Sequence, residues 1–147
     1  MKVLVIGDII IDKYIYGTST RLSPEAPVPV VAQERTVETT GGAGLVYENL
    51  KSLGVDVSLY DPDQPASVKT RVMCDGHYVT RIDNDYIADG YDVLEDLQEF
   101  PFHKYNYVIL SDYNKGVLEF SEQIIQLANE AGCRVIVDPK RSAEHYK

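Results

Sequence analysis

Basic residues are scarce in this sequence. Lysine and arginine together number 14 against 23 aspartates and glutamates, which gives a formal net charge of −9. Nucleic acids and anionic membranes attract proteins through positive charge, so this balance argues against both as partners. No apolar run reaches membrane-spanning length, and the opening MKVLVIGD is too short and too soon acidic for a signal peptide. We therefore expect a cytoplasmic protein with no nucleic-acid or membrane partner.

Cysteine is also rare. Cys74 and Cys133 are the only two, and neither has the CxxC or Cys/His spacing of a metal site. We expect two reduced core residues, and a disulfide between two strands is the alternative. The acidic stretch 83–99 contains no lysine or arginine, but it lacks the register of a calcium loop. We therefore expect no metal site.

Apolar runs and turn residues predict one α/β domain. A near-continuous apolar run predicts a buried parallel strand at 2–8, and a further buried strand is predicted at 106–113. Two more strands are predicted at 55–60 and 133–139. Helices are predicted from the GGAG sequence at 41–44 to about residue 53, over about 91–99, and from Ser121 as N-cap to Gly132. This alternation implies a doubly wound, mainly parallel sheet.

Residues 21–31, RLSPEAPVPVV, place three prolines beside valines. Valine favours strands and proline cannot donate to a sheet, so we predict a strand in which Pro27 and Pro29 block one edge while the other edge pairs. An ordinary edge strand is one interpretation of this pattern. Residues 30–40 continue into a small antiparallel sheet, and Asp75-Gly76 predicts a hairpin between two further strands.

Charged residues follow the predicted parallel strands. Asp8, Asp112 and Asp138 each end a strand, and Lys115 and Lys140 come shortly after two of them. In open α/β sheets ligands collect at the carboxyl ends of the strands, and the GGAG helix start offers free N–H groups. Carboxylates accept hydrogen bonds from hydroxyls and cations hold phosphate, so this set suits a sugar or a sugar phosphate.

Six motifs occur in a specific order: GDIIIDKYIYG, RLSPEAPVPVV, GGAG…NLKSLG, KTRVM, LSDYNKG and VDPK. Through these motifs the chain resembles the PfkB/ribokinase carbohydrate kinases, and within them the bacterial heptose phosphate kinases. The resemblance covers essentially the whole chain, which matches the N-terminal half of such an enzyme. The resemblance implies a ribokinase-like fold, with a truncated doubly wound sheet and a small β-sheet lid. It implies one domain over 1–147, a lid insertion at about 13–40 and a second β-hairpin at about 67–83.

The resemblance implies substrate-binding roles for five residues in and beside the lid. Asp12 matches the family acid that binds sugar hydroxyls. Gly41 and Gly42 match the di-glycine that lets the sugar approach the helix. Lys69 and Arg71 match basic positions near the substrate.

Further matches lie nearer the carboxyl ends of the main strands. Asp112 and Lys115 match the loop that faces the sugar and its phosphate, and Lys140 matches a position at the boundary with the nucleotide site. Arg81 and Asp83 match a lid-side pair, for which a structural salt bridge is an equal alternative.

Three departures from the family pattern bear on activity. Leu45 stands where the family has an asparagine, and only six residues separate Tyr60 from Ser67, where the family has additional α/β structure. The sequence ends at Lys147 without the Gly-Ala-Gly-Asp motif that carries the family's anion hole and catalytic base, and it has no Asn-x-x-Glu. We therefore expect no catalytic residue and no cofactor in the isolated chain, since ATP and Mg²⁺ are implied by the family alone.

Three interpretations of function remain open. The chain binds a sugar or sugar phosphate without phosphorylating it, or it is an active sugar kinase completed by a separate nucleotide-binding half or truncated from a longer product, or it is a non-catalytic dimeric interaction module. In many relatives the lid packs against a second lid, so the resemblance also implies a homodimer through RLSPEAPVPVV, where apolar residues lie on both faces of the predicted strand.

Overall fold

The computed structural model describes all residues, Met1–Lys147, and contains two four-stranded sheets. The strands are β1 (Lys2–Gly7), β2 (Ile9–Thr18), β3 (Ala32–Gly42), β4 (Asp56–Leu59), β5 (Ser67–Cys74), β6 (His77–Asn84), β7 (Tyr107–Ser111) and β8 (Arg134–Asp138). The helices are α1 (Ala43–Ser52), α2 (Gly90–Gln98) and α3 (Ser121–Glu130), with short 3₁₀ turns at Phe102–Lys104 and Ala143–Tyr146.

The main sheet has the order β4-β1-β7-β8, and every neighbouring pair in it is parallel. Alternate side chains of its central strands enter one buried cluster with residues of α2 and α3, among them Leu4, Leu110, Leu97 and Ile124. Helix α1 contacts β1 and β4 from the other face. The predicted doubly wound parallel sheet is confirmed, and its strands all present their carboxyl ends at one edge.

The second sheet has the order β3-β2-β5-β6, and β2 pairs with β3 antiparallel and with β5 parallel. Strands β5 and β6 form the hairpin that Asp75-Gly76 predicts. Directly paired residues share a face, so the register defines two faces. We call the face that carries Asp12, Lys69 and Arg71 the polar face, and the face that carries Ile11, Ile15, Val68, Val72 and Ile82 the apolar face.

Residues 21–31 are a folded loop, so the predicted strand is wrong. The N–H of Val28 donates to the Ala26 carbonyl at 2.7 Å, and the N–H of Val30 donates to the Arg21 carbonyl at 3.1 Å. The donors expected to pair along a sheet edge are therefore satisfied within the loop, whose one bridge joins Leu22 and Pro29. The prolines fix the turns that fold this segment back on itself.

Two helix starts differ from those predicted. Gly41 and Gly42 pair with β2 as the last residues of β3, so α1 begins at Ala43. Ser121 is the first residue of α3 and does not cap it, because its hydroxyl donates to the His145 carbonyl.

Both cysteines are free and buried, which confirms the prediction of reduced core residues. Burial raises the pKa of each thiol above its usual value, so both are unreactive at neutral pH. None of the helices has the length and apolar character needed to cross a membrane.

Candidate functional site

Asp12 lies near the middle of β2, on the polar face of the second sheet. The Arg71 guanidinium donates to its Oδ1 at 2.5 Å, and Lys69 occupies the directly opposite position on β5. The Asp12 side chain keeps 23% of its accessible surface. One carboxylate oxygen is therefore paired with a cation, and the other, Oδ2, has no hydrogen-bond partner within the protein.

Gly41 and Gly42 bring the β3 backbone against the two acids of this region. A Cβ at Gly41 would lie 2.4 Å from Oδ2 of Asp12, so only glycine leaves room for the carboxylate in its present position. Gly42 has φ +59°, and a Cβ there would meet the Asp8 carbonyl at 2.2 Å. The di-glycine thus sets the approach of β3 to Asp12 and the sharp entry into α1.

The polar face also carries a row of cations. Arg71 stacks over the Tyr14 ring at 5.2 Å, which holds the guanidinium against Asp12. Arg81 pairs with Asp83 at 2.7 Å on the exposed strand β6. Lys69 takes part in no salt bridge, so its ammonium is available to a ligand.

Asp112 is engaged within the protein. Its Oδ2 accepts from Nε of Arg141 at 2.8 Å and from the Tyr146 hydroxyl, and its Oδ1 accepts from the Asn114 N–H at 2.6 Å. The Asp112 side chain is 1% exposed and that of Arg141 is 14% exposed. Asp112 therefore ties the end of β7 to the C-terminal turn.

Asp8 organises the loop that follows Asp112. Its buried carboxylate accepts three backbone N–H groups, from Tyr113 at 2.8 Å and from Lys115 and Val117 at 3.1 Å each. Burial raises the pKa of Asp8, while these three bonds act in the opposite direction. The loop thus wraps around the Asp8 side chain, and the bond from the Lys115 N–H fixes the position of the Lys115 backbone.

The Lys115 ammonium donates to Oδ2 of Asp85 at 2.7 Å, just beyond the end of β6. Its side chain also lines a cavity of about 130 Å³ beside Asp8, Ser67 and Tyr86, at the junction of the two sheets. Lys115 is the only cation among the residues that line this cavity. A small anionic group is the ligand chemistry that this lysine fits.

Lys140 lies on the exposed segment after β8, and it forms no ion pair and no side-chain hydrogen bond. No three histidine, cysteine or carboxylate side chains are grouped so as to hold a metal ion. The Mg²⁺ implied by the family therefore has no such ligand set here, and neither ATP nor Mg²⁺ enters the chemistry we assign to these residues.

The structure joins Asp12, Gly41, Lys69 and Arg71 on one surface and places Lys115 near it through Asp85. Asp85 was not predicted as a site residue, since it lies within the acidic stretch 83–99, and neither were Arg141 and Tyr146, the C-terminal partners of Asp112. No local signal marks these residues, because each acts on a partner far away in sequence.

Several solved structures share this fold. A carbohydrate kinase from Agrobacterium tumefaciens matches with a TM-score of 0.57 and 16% identity, over 92% of this chain and 52% of its own. Phosphofructokinase-2 from Escherichia coli matches at 0.55 with 13% identity, over 92% and 53%. Ribokinase from Arabidopsis thaliana, solved with ribose and ATP, matches at 0.51 with 14% identity, over 95% and 54%. The fold is the ribokinase-like fold of carbohydrate kinases, as the motifs predict.

The sequence itself is similar to proteins called bifunctional protein HldE. The protein of Photobacterium profundum is 39% identical over 95% of this chain, and that of Vibrio cholerae is 37% identical over 99%. The protein of Helicobacter pylori is 37% identical over 95%. No family model matches the chain. These relatives and the solved structures confirm the resemblance to PfkB/ribokinase sugar kinases.

The chain spans 35% to 37% of the length of these HldE proteins. The Vibrio cholerae alignment covers 175 positions but only 99% of 147 residues, about 146, so about 29 positions have no residue here. In the structure the six residues between Tyr60 and Ser67 form a loop, and several of them line the cavity beside Lys115.

Proposed function

We propose that these 147 residues form a sugar-kinase-like protein in which the second sheet, together with the 21–31 loop, is the lid that the resemblance implies, and that a sugar phosphate binds between this lid and the main sheet. The polar face supplies the ligand groups: Asp12 accepts from sugar hydroxyls, and Lys69, Arg71 and Lys115 hold the phosphate. The observation that carries this proposal is the free Oδ2 of Asp12 against Gly41, beside a lysine without an ion-pair partner.

Asp112 enters the proposal as a residue of the same loop. Its carboxylate accepts three hydrogen bonds from Arg141, Tyr146 and Asn114, so it supports ligand binding by holding the Lys115 loop against the main sheet. Gly42 acts in the same indirect way through the entry into α1. Lys140 is the only residue that we place at the boundary with a nucleotide site.

The proposal assigns no phosphoryl transfer to these residues alone. Transfer relies on positioned charges around the moving phosphate, and no residue here matches the family's base or anion hole. We expect no ADP release with ATP and heptose 7-phosphate. Turnover that disappears in Asp12→Ala would contradict this, whereas turnover that survives the substitution would come from a contaminating kinase.

Binding is tested with a thermal-shift panel of heptose 7-phosphate, other phosphosugars, free sugars and inorganic phosphate. A ligand that binds only the folded state raises the melting temperature with its concentration. We expect the largest shift with a phosphosugar, and a loss of that shift in Asp12→Ala and Lys69→Met. The absence of any shift at millimolar ligand would favour the non-catalytic interaction module.

A second candidate function is a kinase completed by a nucleotide-binding half. Its support is an apolar groove on the α1 side of the main sheet, formed by Met1, Val3, Leu50, Val55, Tyr107, Ile109 and Ile136. Ile136 is 51% exposed on β8, which is an edge strand with one unpaired side. Such a face suits further structure packed against it. ADP release that appears only on adding a second polypeptide would favour this candidate.

We further propose a homodimer through the lid. On the apolar face Ile82 is 58% exposed, and in the 21–31 loop Val28 is 51% exposed. A sheet with isoleucines and valines on an open face is stabilised by an equivalent face of a second copy. Light scattering should give roughly twice the chain mass of 16.5 kDa. Ile82→Asp should give monomers, whereas Leu53→Asp, an exposed residue outside the lid, should not; a monomeric wild type at tens of micromolar would contradict the dimer.

A further inference from the structure

The cations around the proposed site are largely neutralised by the protein's own acids. Arg71 pairs with Asp12, and Lys115 pairs with Asp85. These two acids differ in setting. Asp12 is half-buried on β2, whereas the Asp85 side chain keeps 45% of its surface and follows the end of β6. Asp85 can therefore leave its cation at lower cost than Asp12 can.

The backbone around Asp85 is held independently of its side chain. The neighbouring Tyr86 N–H and carbonyl both bond to the Ser67 hydroxyl at 3.0 Å, and the Ala88 N–H donates to the Lys115 carbonyl at 2.7 Å. These bonds keep the segment against the Lys115 loop whether or not the ion pair is closed. The Asp85 carboxylate can thus swing into solvent without opening the lid.

Asp85 also lies where several positive charges act together. Besides Lys115, the charges of Lys69 and Arg81 contribute to lowering the pKa of its carboxyl group. Lys69 itself lacks an ion-pair partner, and Lys115 lines the cavity between the sheets. The carboxylate therefore occupies a position that these cations make favourable for any anionic group.

We propose that Asp85 is an internal competitor that occupies the anion position of Lys115 until the phosphate of a ligand displaces it. This inference rests on the proposed function and adds a regulating residue to the same site. The displaced carboxylate turns to solvent, and the ammonium exchanges one anionic partner for another without any covalent step. The competition weakens phosphate binding and disfavours neutral ligands, since these cannot replace the ion pair.

Removing the competitor should therefore tighten binding. A partly exposed ion pair is weak, so Asp85→Asn should lower the Kd of phosphate and of heptose 7-phosphate by about two- to fivefold. The matched control is Glu95→Gln, which removes one negative charge from an exposed residue of α2 that forms no ion pair. A general charge effect would appear in both variants, whereas competition at Lys115 would appear in Asp85→Asn alone.

The experiment titrates wild type, Asp85→Asn, Glu95→Gln and the double variant Asp85→Asn/Lys115→Met with inorganic phosphate and heptose 7-phosphate by calorimetry. Amine labelling of Lys115, followed by mass spectrometry without ligand, reports the freed ammonium directly. We expect faster labelling of Lys115 and tighter ligand binding in Asp85→Asn than in wild type. The double variant, which lacks the Lys115 ammonium, should bind phosphate no more tightly than wild type does.

The outcomes separate this inference from the proposed function. Binding of heptose 7-phosphate that Asp85→Asn leaves unchanged overturns the competition but keeps the proposed function. Tighter phosphate binding in Asp85→Asn without any preference for the phosphosugar supports the competition and contradicts the proposed function. Failure of every variant to bind either ligand overturns both.

Discussion

Replacement of Arg141 by methionine tests the buried link between Asp112 and the C-terminal turn. The change removes the 2.8 Å bond from Nε to Asp112 and the bond from the guanidinium to the Leu118 carbonyl. Because the Asp112 side chain is 1% exposed, it is left as a buried carboxylate with only Tyr146 and Asn114 as donors. Loss of one partner of a buried pair costs about 3–5 kcal/mol, and the remaining donors place this case near 3 kcal/mol.

The assay is urea unfolding followed by circular dichroism. With a slope of about 2 kcal/mol per M, a loss of 3 kcal/mol lowers the midpoint by about 1.5 M. Arg81→Met is the matched control: its pair with Asp83 is exposed, and we expect a change below about 1 kcal/mol. The double variant Asp112→Leu/Arg141→Met should lose less than the sum of its single variants, since it leaves no unpaired charge. An Arg141→Met loss no larger than the control would refute the buried link.

Three further predictions concern the lid and the helix entry. Gly41→Ala should abolish phosphosugar binding, because its Cβ would displace the Asp12 carboxylate, and calorimetry that finds wild-type affinity would contradict the close approach. Leu45→Asn should tighten sugar binding about two- to tenfold by adding one hydrogen bond at a residue that is 49% exposed, with little change in melting temperature; weaker binding would place the sugar elsewhere. The Lys115 ion pair lowers the pKa of Asp85, so its stabilisation exists above the unfolded pKa of about 3.9 and disappears as the pH falls through the lower folded value. The melting temperatures of wild type and Asp85→Asn should therefore differ at pH 7 and converge once the pH falls below the lowered pKa of Asp85, and a difference independent of pH would contradict the ion pair.

The strands of the main sheet were predictable because short, largely apolar runs there end at a glycine, a proline or an acid. β1, β7 and β8 lie within two residues of their predicted bounds; β1 is buried along almost its whole length, whereas Ile136 on the edge strand β8 stays exposed. The hairpin at Asp75-Gly76 was predictable for a local reason, since its turn needs residues that tolerate positive φ, and both have it.

The strand predicted at 21–31 is wrong because the strand propensity of valine describes residues that already lie in a sheet. In this loop the N–H groups of Val28 and Val30 instead donate to the carbonyls of Ala26 and Arg21, so they are not available to a neighbouring strand. Ser121 misled it in a similar way, because a distant carbonyl, that of His145, accepts from its hydroxyl. Local patterns do not contain these long-range partners.

Partners that are distant in sequence also limit what can be predicted of the candidate site. The motifs point to Asp12, Lys69 and Lys115, and the register brings the first two side by side on adjacent strands. The partners that decide how free each group is, Asp85 for Lys115 and Arg141 for Asp112, lie 30 and 29 residues away in sequence. Only the fold reveals which of the charged groups a ligand can still reach.

The central claim is that these residues bind a phosphosugar on the polar face of the lid, and backbone amide chemical shifts measured by NMR test it most directly. On titration with heptose 7-phosphate, we predict saturable shifts at Gly41, Lys69, Arg71 and Lys115 that Asp12→Ala abolishes. Shifts confined to other surfaces, or the absence of any shift at millimolar ligand, would contradict the claim.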